Sequence, residues 1–149
     1  MQTLLVPLDA SASTAKVLNQ AEGLALALPA RVVLLHVVEP VATYVPVGAA
    51  MDVIATAPPP IEEGETEGAK QRIEQLAGPL RAKGIDVACE AVLGLAVDEI
   101  IEQAKNLAAD YIVVGSHGHG ALYHLFSGSV VTGVLKHSPC PVIVVPIRN

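Results

Sequence analysis

Two glycine-containing turns near the C-terminus carry the clearest chemical signal in the sequence. Gly115 and Gly118 are followed, after nine residues, by Gly128, Ser129 and Val130. The first glycine ends an apolar run typical of a strand, and the second group begins a segment with helical spacing. Glycine lets the backbone approach a ligand closely, and the free amides of a helix N-terminus bind anions with the help of the helix dipole. The pattern therefore predicts a phosphate site made of main-chain N–H groups, to which Ser129 adds a hydroxyl donor.

The charge of the surrounding sequence is compatible with an anionic ligand. The chain has a net charge of −6 at pH 7, but its last acidic residue is Asp110, and the charged residues that follow it are Lys136 and Arg148. The C-terminal third would therefore not repel a polyphosphate. Lysine and arginine do not cluster in any window, so the phosphate backbone of a nucleic acid is a poor partner.

Other phosphate-binding and metal-binding patterns fit the sequence less well. It has no G-x-G-x-x-G after the first predicted strand and no G-x-x-x-x-G-K-[ST], which disfavours dinucleotide dehydrogenases and P-loop NTPases. His117, His119 and His124 suggest a metal site, but no cysteine or carboxylate lies in the same segment to complete the ligand set. We favour His117 or His119 as a donor to a phosphate. We interpret His36, within an apolar run, as a core histidine whose hydrogen bonds are satisfied.

The elements that must position these residues alternate between strand and helix. Apolar runs without alternation are typical of parallel strands covered on both faces, and apolar residues at helical spacing indicate helices. The predicted strands are Thr3–Leu8, Val32–Val38, Ile85–Val92, Tyr111–Val114 and Val142–Val145. The predicted helices are Ala15–Leu28, Gly68–Lys83, Ala96–Ala108 and Ser127–His137. Ser11 and Ser13 are the N-cap candidates for the first helix. This order predicts an α/β fold with a parallel sheet, helices on both faces and right-handed crossovers. We expect Pro79 to kink or split its helix, since an interior proline costs about 3 kcal/mol.

Size and composition indicate a single domain over residues 1–149. The 15.4 kDa chain is 52% hydrophobic and 16% charged, which excludes a chain that is disordered as a whole. Two distant cysteines, Cys89 and Cys140, fit a reducing compartment better than a disulfide framework. The N-terminus lacks the basic region of a signal peptide, and the most apolar stretch, Gly23–Val38, is interrupted and too short for a membrane span. We expect a cytoplasmic protein without a membrane span.

A long segment without a clear helical or strand pattern covers residues 39–60. It contains two charged residues and the run Pro58-Pro59-Pro60. Segments of this length are usually lids, binding loops or mobile regions. We expect a long flexible loop within the domain, and a disordered insertion is the alternative.

The chain resembles the ATP-binding branch of the universal stress protein family. Gly115-x2-Gly118-x9-Gly128-Ser129 matches the nucleotide signature G-x2-G-x9-G-[ST] of that branch. The resemblance extends to Val6–Asp9, Leu35–Val38 and His137–Val142. It implies a Rossmann-like sheet of order 3-2-1-4-5, similar to the adenine nucleotide alpha hydrolases, together with a homodimer, bound ATP and a role in stress tolerance or signalling. ADP and AMP are alternative ligands.

The resemblance also implies roles for individual residues in this sequence. Pro7 and Asp9 would lie beside the adenosine, and Val38 would meet the adenine. The ribose and phosphates would be held by the signature residues and their neighbours, namely Gly115, His117, Gly118, Gly128, Ser129 and Val130. Two alternatives remain open: Asp9 as a helix N-cap, and Val38 as an ordinary core residue.

The same sheet order places the last strand, Val142–Val145, at an edge. An apolar edge strand without a charged residue invites pairing, which favours a homodimer through this strand; coverage by the 39–60 loop is the alternative.

ATP hydrolysis needs a positioned base and cationic charge, for which the sequence offers little, so we expect Mg²⁺ held mainly by the phosphates and negligible turnover. The competing hypotheses are a slow ATP hydrolase and a module that binds an unidentified protein through residues 39–60.

Overall fold

A computed structural model of the chain describes residues 1–9, 11, 13–40, 44–47, 52–55, 63–116 and 130–147. Strands and helices alternate along the described segments, as the apolar patterns predict. In chain order they are β1 (Gln2–Pro7), α1 (Thr14–Ala27), β2 (Ala30–Val38), β3 (Tyr44–Val47), β4 (Asp52–Ala55), α2 (Glu63–Ala82), β5 (Val87–Leu93), α3 (Ala96–Asn106), β6 (Tyr111–Ser116), α4 (Val130–His137) and β7 (Val142–Pro146).

Five strands form one parallel sheet in the order β5-β2-β1-β6-β7. This arrangement confirms the predicted order 3-2-1-4-5. The central strand β1 pairs with β2 from Gln2↔Ala30 to Pro7↔Leu35 and with β6 on its other side. Because all five strands run in the same direction, their carboxyl ends meet at one edge of the sheet.

Helices cover both faces of the sheet and divide the core into two layers. Alternate residues of each strand point to opposite faces, so Val32 and Leu34 of β2 pack in one layer and Val33 and Leu35 in the other. The first layer contains inward residues of α1 and α2, and the second contains those of α3 and α4. Leu4, Leu5, Val32, Leu34 and Ile112 have no exposed surface, as expected of strands covered on both sides.

Helix α2 differs from its prediction. It begins at Glu63, five residues before the predicted Gly68, and it runs through Pro79 to Ala82 without splitting. Its buried residues, among them Ile73, Ala77 and Leu80, form one continuous inward stripe on both sides of the proline. Packing of that stripe against β2 and β5 outweighs the loss of a single main-chain hydrogen bond in the last turns of the helix.

The segment of residues 39–60 contains regular structure that its sequence did not suggest. Tyr44–Val47 and Asp52–Ala55 pair as antiparallel strands, with Tyr44 opposite Ala55 and Val47 opposite Asp52. The pair forms a separate two-stranded sheet. The predicted helix over Ser127–His137 is described from Val130 onward, where α4 begins.

Candidate functional site

A cleft of about 290 Å³ opens at the carboxyl edge of the sheet. It lies where β1 and β6 are adjacent, which is the point at which the strand order reverses along the chain. In open α/β sheets ligands bind at such a switch point. The described lining residues are Pro7, Leu8, Asp9, Ser13, Thr14, Val17, His36, Val37, Glu39, Ala96, Ile100, Val114, Gly115, Val130 and Val131.

The structure brings some of the predicted site residues together in this cleft. Pro7 and Asp9 reach it from the end of β1, Gly115 from the end of β6 and Val130 from the start of α4. His117, Gly118, Gly128 and Ser129 lie outside the described residues, and His119 and His124 lie there as well. The two ends of that interval, Gly115 and Val130, both line the cleft.

Val37 lines the cleft, whereas the sequence pointed to its neighbour Val38. Consecutive strand residues face opposite sides of the sheet, and Val37 packs with the α3 and α4 layer. The carbonyl oxygen of Val38 accepts the Gly94 N–H at 3.1 Å. The side chain that a base would meet on β2 is therefore that of Val37.

Asp9 organises the turn between β1 and α1. Its Oδ1 accepts the N–H of Ser11 at 3.0 Å, and the Ser11 carbonyl accepts the N–H of Thr14, the first residue of α1. The N-cap position belongs to Ser13, so the alternative role of Asp9 as the helix N-cap is wrong. Asp9 is exposed and lines the cleft.

Gly115 has a packing role that needs no ligand. A Cβ added to it would lie 2.9 Å from Cγ2 of Val17 and 3.5 Å from the Cδ1 of Ile147. Such a contact with Val17 is too short for carbon atoms, whose optimal separation is about 3.5–4.0 Å. The glycine therefore allows α1 to approach the end of β6 and sets the width of the cleft there.

His36 lines the cleft, although the sequence was interpreted as placing this histidine in the core. Its ring is half-buried, and Nδ1 lies 2.8 Å from the carbonyl oxygen of Leu8. Because a carbonyl oxygen only accepts hydrogen bonds, Nδ1 must carry the proton. In the neutral ring Nε2 is then a hydrogen-bond acceptor.

Glu39 is a second lining residue of the cleft that the sequence did not reveal. Its Oε1 accepts the N–H of Ala96, the first residue of α3, at 2.7 Å. The N-cap position of α3 is Leu95, whose side chain has no group to cap the helix. A carboxylate from the end of β2 therefore neutralises the positive end of α3, an interaction between residues 57 positions apart that no local pattern could indicate.

The described lining combines an apolar wall with hydrogen-bond acceptors. Val37, Ile100, Val114 and Val131 belong to the α3 and α4 layer of the core. The carboxylates of Asp9 and Glu39 supply negative charge, and no lysine or arginine is among the described lining residues. Such a wall suits a flat apolar ring system that carries hydrogen-bond donors.

Metal-ligating clusters and membrane-spanning helices are absent from the described part of the chain. Within it, no three histidine, cysteine, aspartate or glutamate side chains are grouped so as to hold a metal ion. None of the helices described there is long and apolar enough to cross a membrane.

The amino-acid sequence of the chain is similar to those of known proteins. It matches the sequence model of the Universal stress protein family over residues 1–146. Universal stress protein MJ0577 of Methanocaldococcus jannaschii is 37% identical over 84 residues, which span 56% of this chain and only about half, 52%, of that protein. Universal stress protein A homolog 2 of Coxiella burnetii is 34% identical over 131 residues, which span 88% of this chain and 84% of that protein.

Solved structures share the fold over nearly the whole chain. The structure of MJ0577 has a TM-score of 0.72 at 26% identity and covers 99% of this chain and 97% of that one. A universal stress protein in complex with cAMP has a TM-score of 0.70 at 22% identity, covering 99% and 98% of the two chains. An Archaeoglobus fulgidus universal stress protein in complex with dAMP has a TM-score of 0.68 at 20% identity, covering 97% and 98%.

Proposed function

Because the chain belongs to the universal stress protein family, we propose that it binds ATP in the cleft between β1 and β6 and acts as a dimeric stress-response or signalling module. The observation that carries this proposal is the position of the cleft. It lies at the switch point of the sheet, and its lining includes Gly115, the first residue of the glycine signature, and Val130, the residue that follows the signature. We place the protein in the cytoplasm, in keeping with its cysteine usage.

The proposed pose puts the phosphates near α4 and the base near α3. Residues 115–130 supply the main-chain amides, and Val130 at the first turn of α4 lines the cleft. The adenine then lies against the apolar wall that includes Val37 and Ile100, and Asp9 accepts a hydrogen bond from the adenosine. Mg²⁺ enters with the phosphates, which hold it in this proposal.

Nucleotide complexes of fold neighbours are consistent with an adenine nucleotide. The two proteins described in complex with cAMP and with dAMP are related to this chain at 22% and 20% identity. At that distance the likeness concerns the fold, so the choice of nucleotide for this chain rests on its own signature and cleft. ATP is our first choice, with ADP and AMP as alternatives.

Calorimetric titration with ATP, ADP and AMP tests the proposal. We expect binding of ATP. We expect Gly118→Ala to weaken ATP binding about tenfold or more, which corresponds to about 1.4 kcal/mol, because the added methyl group would crowd the close approach of the main chain to the phosphates. Gly23→Ala is the matched control, since Gly23 is exposed and has nothing within 4 Å of an added Cβ. Absence of heat with all three nucleotides would refute nucleotide binding.

We propose little or no hydrolysis, with a slow ATP hydrolase as the alternative. The described cleft contributes Asp9 and Glu39, each already accepting a main-chain N–H. Phosphate release under saturating Mg-ATP separates the two hypotheses. Turnover well above about one per minute would favour the hydrolase.

The proposed dimer forms through β7. This strand pairs with β6 on one side and stands last in the sheet order, and Val144 exposes 37% of its surface. A strand edge of this kind is a template for pairing with a second copy. Sedimentation of Val144→Lys should show a monomer, while Leu26→Lys, which replaces an exposed leucine of α1, should sediment as the unsubstituted protein does.

The hairpin of β3 and β4 favours a second candidate function. A regular antiparallel pair within residues 39–60 could present a surface to an unidentified protein. This function predicts that deletion of the hairpin abolishes partner capture while leaving nucleotide binding intact. An empty cleft in the titrations above would make it the preferred hypothesis.

A further inference from the structure

Thr14 is a polar residue in a position where α1 otherwise places apolar side chains. The buried residues of α1 are Thr14, Val17, Leu18, Ala21 and Ala25, a spacing that forms one inward stripe. Thr14 is the first member of that stripe and lines the cleft. It is 9% exposed, so more than nine-tenths of the residue is buried.

The hydroxyl of Thr14 is buried and has no hydrogen-bond partner among the residues that the structure describes. A buried, unpaired polar group costs about 1–3 kcal/mol of stability. Threonine in a helix has two accessible χ1 rotamers, so rotation of this side chain exchanges hydroxyl and methyl at little cost. The structure therefore holds a hydrogen-bonding group beside the cleft whose pairing would be completed by a ligand.

The position of Thr14 along the cleft indicates which part of a nucleotide it would meet. One helical turn after Thr14, Val17 packs against Gly115 at the end of β6, where the phosphate segment begins. The apolar wall for the base lies on the other face of the sheet, with Val37 and Ile100. Thr14 therefore lines the α1 side of the cleft, across the sheet from the apolar wall. In the proposed pose the group that joins the phosphates to the base is the ribose, so we expect the ribose to face Thr14.

His36 supplies the complementary acceptor on the same face. Val32 and Leu34 of β2 pack in the layer that contains α1, and His36 continues that alternation toward the carboxyl end of the strand. Its Nδ1–H is donated to the Leu8 carbonyl, which leaves Nε2 as an acceptor in the neutral ring. A ligand hydroxyl is both donor and acceptor, so it complements one hydroxyl and one imidazole nitrogen.

From these observations we infer that Thr14 and His36 form a subsite for a ribose hydroxyl, and that this chain prefers ribonucleotides to deoxyribonucleotides. The Thr14 hydroxyl donates to the sugar oxygen, and the sugar hydroxyl donates to Nε2 of His36. The inference rests on the proposed function and deepens it by naming the sugar that the same cleft selects.

Titrations with AMP, 2′-deoxy-AMP and 3′-deoxy-AMP test the subsite. We expect at least one deoxy analogue to bind about five- to tenfold more weakly than AMP, the range of one neutral hydrogen bond. Thr14→Val should bring AMP to the affinity of that analogue and leave the analogue itself unaffected, and Thr14→Ser should retain the preference. Equal binding of all three nucleotides would overturn the subsite alone, whereas no binding of any adenine nucleotide would overturn the proposed function with it.

Stability of the nucleotide-free protein gives an independent readout. Thr14→Val removes an unpaired buried hydroxyl at constant shape, so we expect its urea midpoint to rise while its AMP affinity falls. A fall in the midpoint would show that the hydroxyl has a structural role and would overturn the inference without any ligand.

Variants of His36 distinguish the roles of its two ring nitrogens. His36→Asn places an amide N–H near the position of Nδ1, so it can still donate to the Leu8 carbonyl, but it lacks Nε2. We expect it to lose the preference for AMP while keeping its urea midpoint, whereas His36→Ala should lose both. Full discrimination between AMP and the deoxy analogues in His36→Asn would overturn the assignment of Nε2.

Discussion

The close packing of α3 against α4 allows a quantitative prediction about Gly133. A Cβ added at this position would lie 2.6 Å from Cγ2 and 3.0 Å from Cγ1 of Val97. Both distances are below the 3.5–4.0 Å at which carbon atoms pack. Val97 is β-branched and lies in α3, where valine strongly prefers one χ1 rotamer, so it has little freedom to move away. In Gly133→Ala the two helices must therefore separate or bend.

The size of the effect follows from two opposing terms. Replacement of glycine by alanine within a helix stabilises it by about 0.8–1 kcal/mol, and overpacking of this kind costs about 1–3 kcal/mol. Gly23→Ala, in the exposed middle of α1 with nothing within 4 Å of the new methyl group, has the first term without the second. The difference between the two variants should therefore be about 1–3 kcal/mol in the free energy of unfolding, with Gly23→Ala the more stable.

Urea unfolding of the two alanine variants measures this difference directly. The reasoning also predicts coupling, because Val97→Ala removes the two methyl groups that the new side chain would meet, so Gly133→Ala should cost less in that background. Since α4 begins at Val130 in the cleft lining, we expect Gly133→Ala but not Gly23→Ala to weaken nucleotide binding. If Gly133→Ala stabilised the protein as much as Gly23→Ala does, the packing argument would be refuted.

Other predictions concern groups outside the glycine contacts. Glu39→Ala should lower the free energy of unfolding by about 1 kcal/mol through loss of the carboxylate at the start of α3, and Glu39→Gln by less because its amide oxygen still accepts; urea unfolding measures both. The hydrogen bond from Arg81 lowers the pKa of Glu74 below its ordinary value of 4.5. The pair therefore stabilises the fold at pH values above 4.5, and the stabilisation is lost as the pH falls through the lowered pKa. Glu74→Gln should remove that part of the pH dependence of unfolding, and an unchanged profile would contradict the prediction. Burial raises the pKa of Cys89 to about 11, which leaves about one thiolate in a thousand at pH 8 and should slow its alkylation by about two orders of magnitude relative to the unfolded chain. Mass spectrometry of iodoacetamide-treated protein should therefore find Cys140 modified first. Rapid labelling of Cys89 in the folded protein would contradict this prediction and show that the thiol is accessible.

The sheet could be predicted from the sequence because its strands are long apolar runs. Val32–Val38 and Tyr111–Val114 are apolar at nearly every position, and the structure covers both of their faces. Their sequence order and the helical segments between them restrict the topology to a parallel sheet with crossovers. The hairpin of Tyr44–Val47 and Asp52–Ala55 was not predicted, since its strands are short and Pro46 lies within one of them.

Parts of the site that depend on contacts between distant residues could not be predicted in the same way. The choice between Val37 and Val38 depends on which face of β2 meets the cleft, and an apolar run without alternation does not contain that information. His36 and Glu39 acquire their roles from the Leu8 carbonyl and the Ala96 amide, which other elements bring to them. Glycine spacing, by contrast, is a local signal, and both described ends of the predicted phosphate segment do line the cleft.

The interaction of Glu39 with α3 also bears on how a nucleotide would be oriented. Besides α1, which begins at Thr14, the helices α3 and α4 begin at the cleft, through Ala96 and Val130, and the N-terminus of a helix attracts anions. At α3 the amide of Ala96 already faces the carboxylate of Glu39, so a phosphate there would have to displace or approach a negative charge. At α4 the preceding residues are the glycine signature, and the charged residues beyond Asp110 are cationic. The electrostatic difference between the two helix ends therefore favours the proposed pose, with phosphates toward α4 and the adenosine toward α3, over the reverse pose in the same cleft.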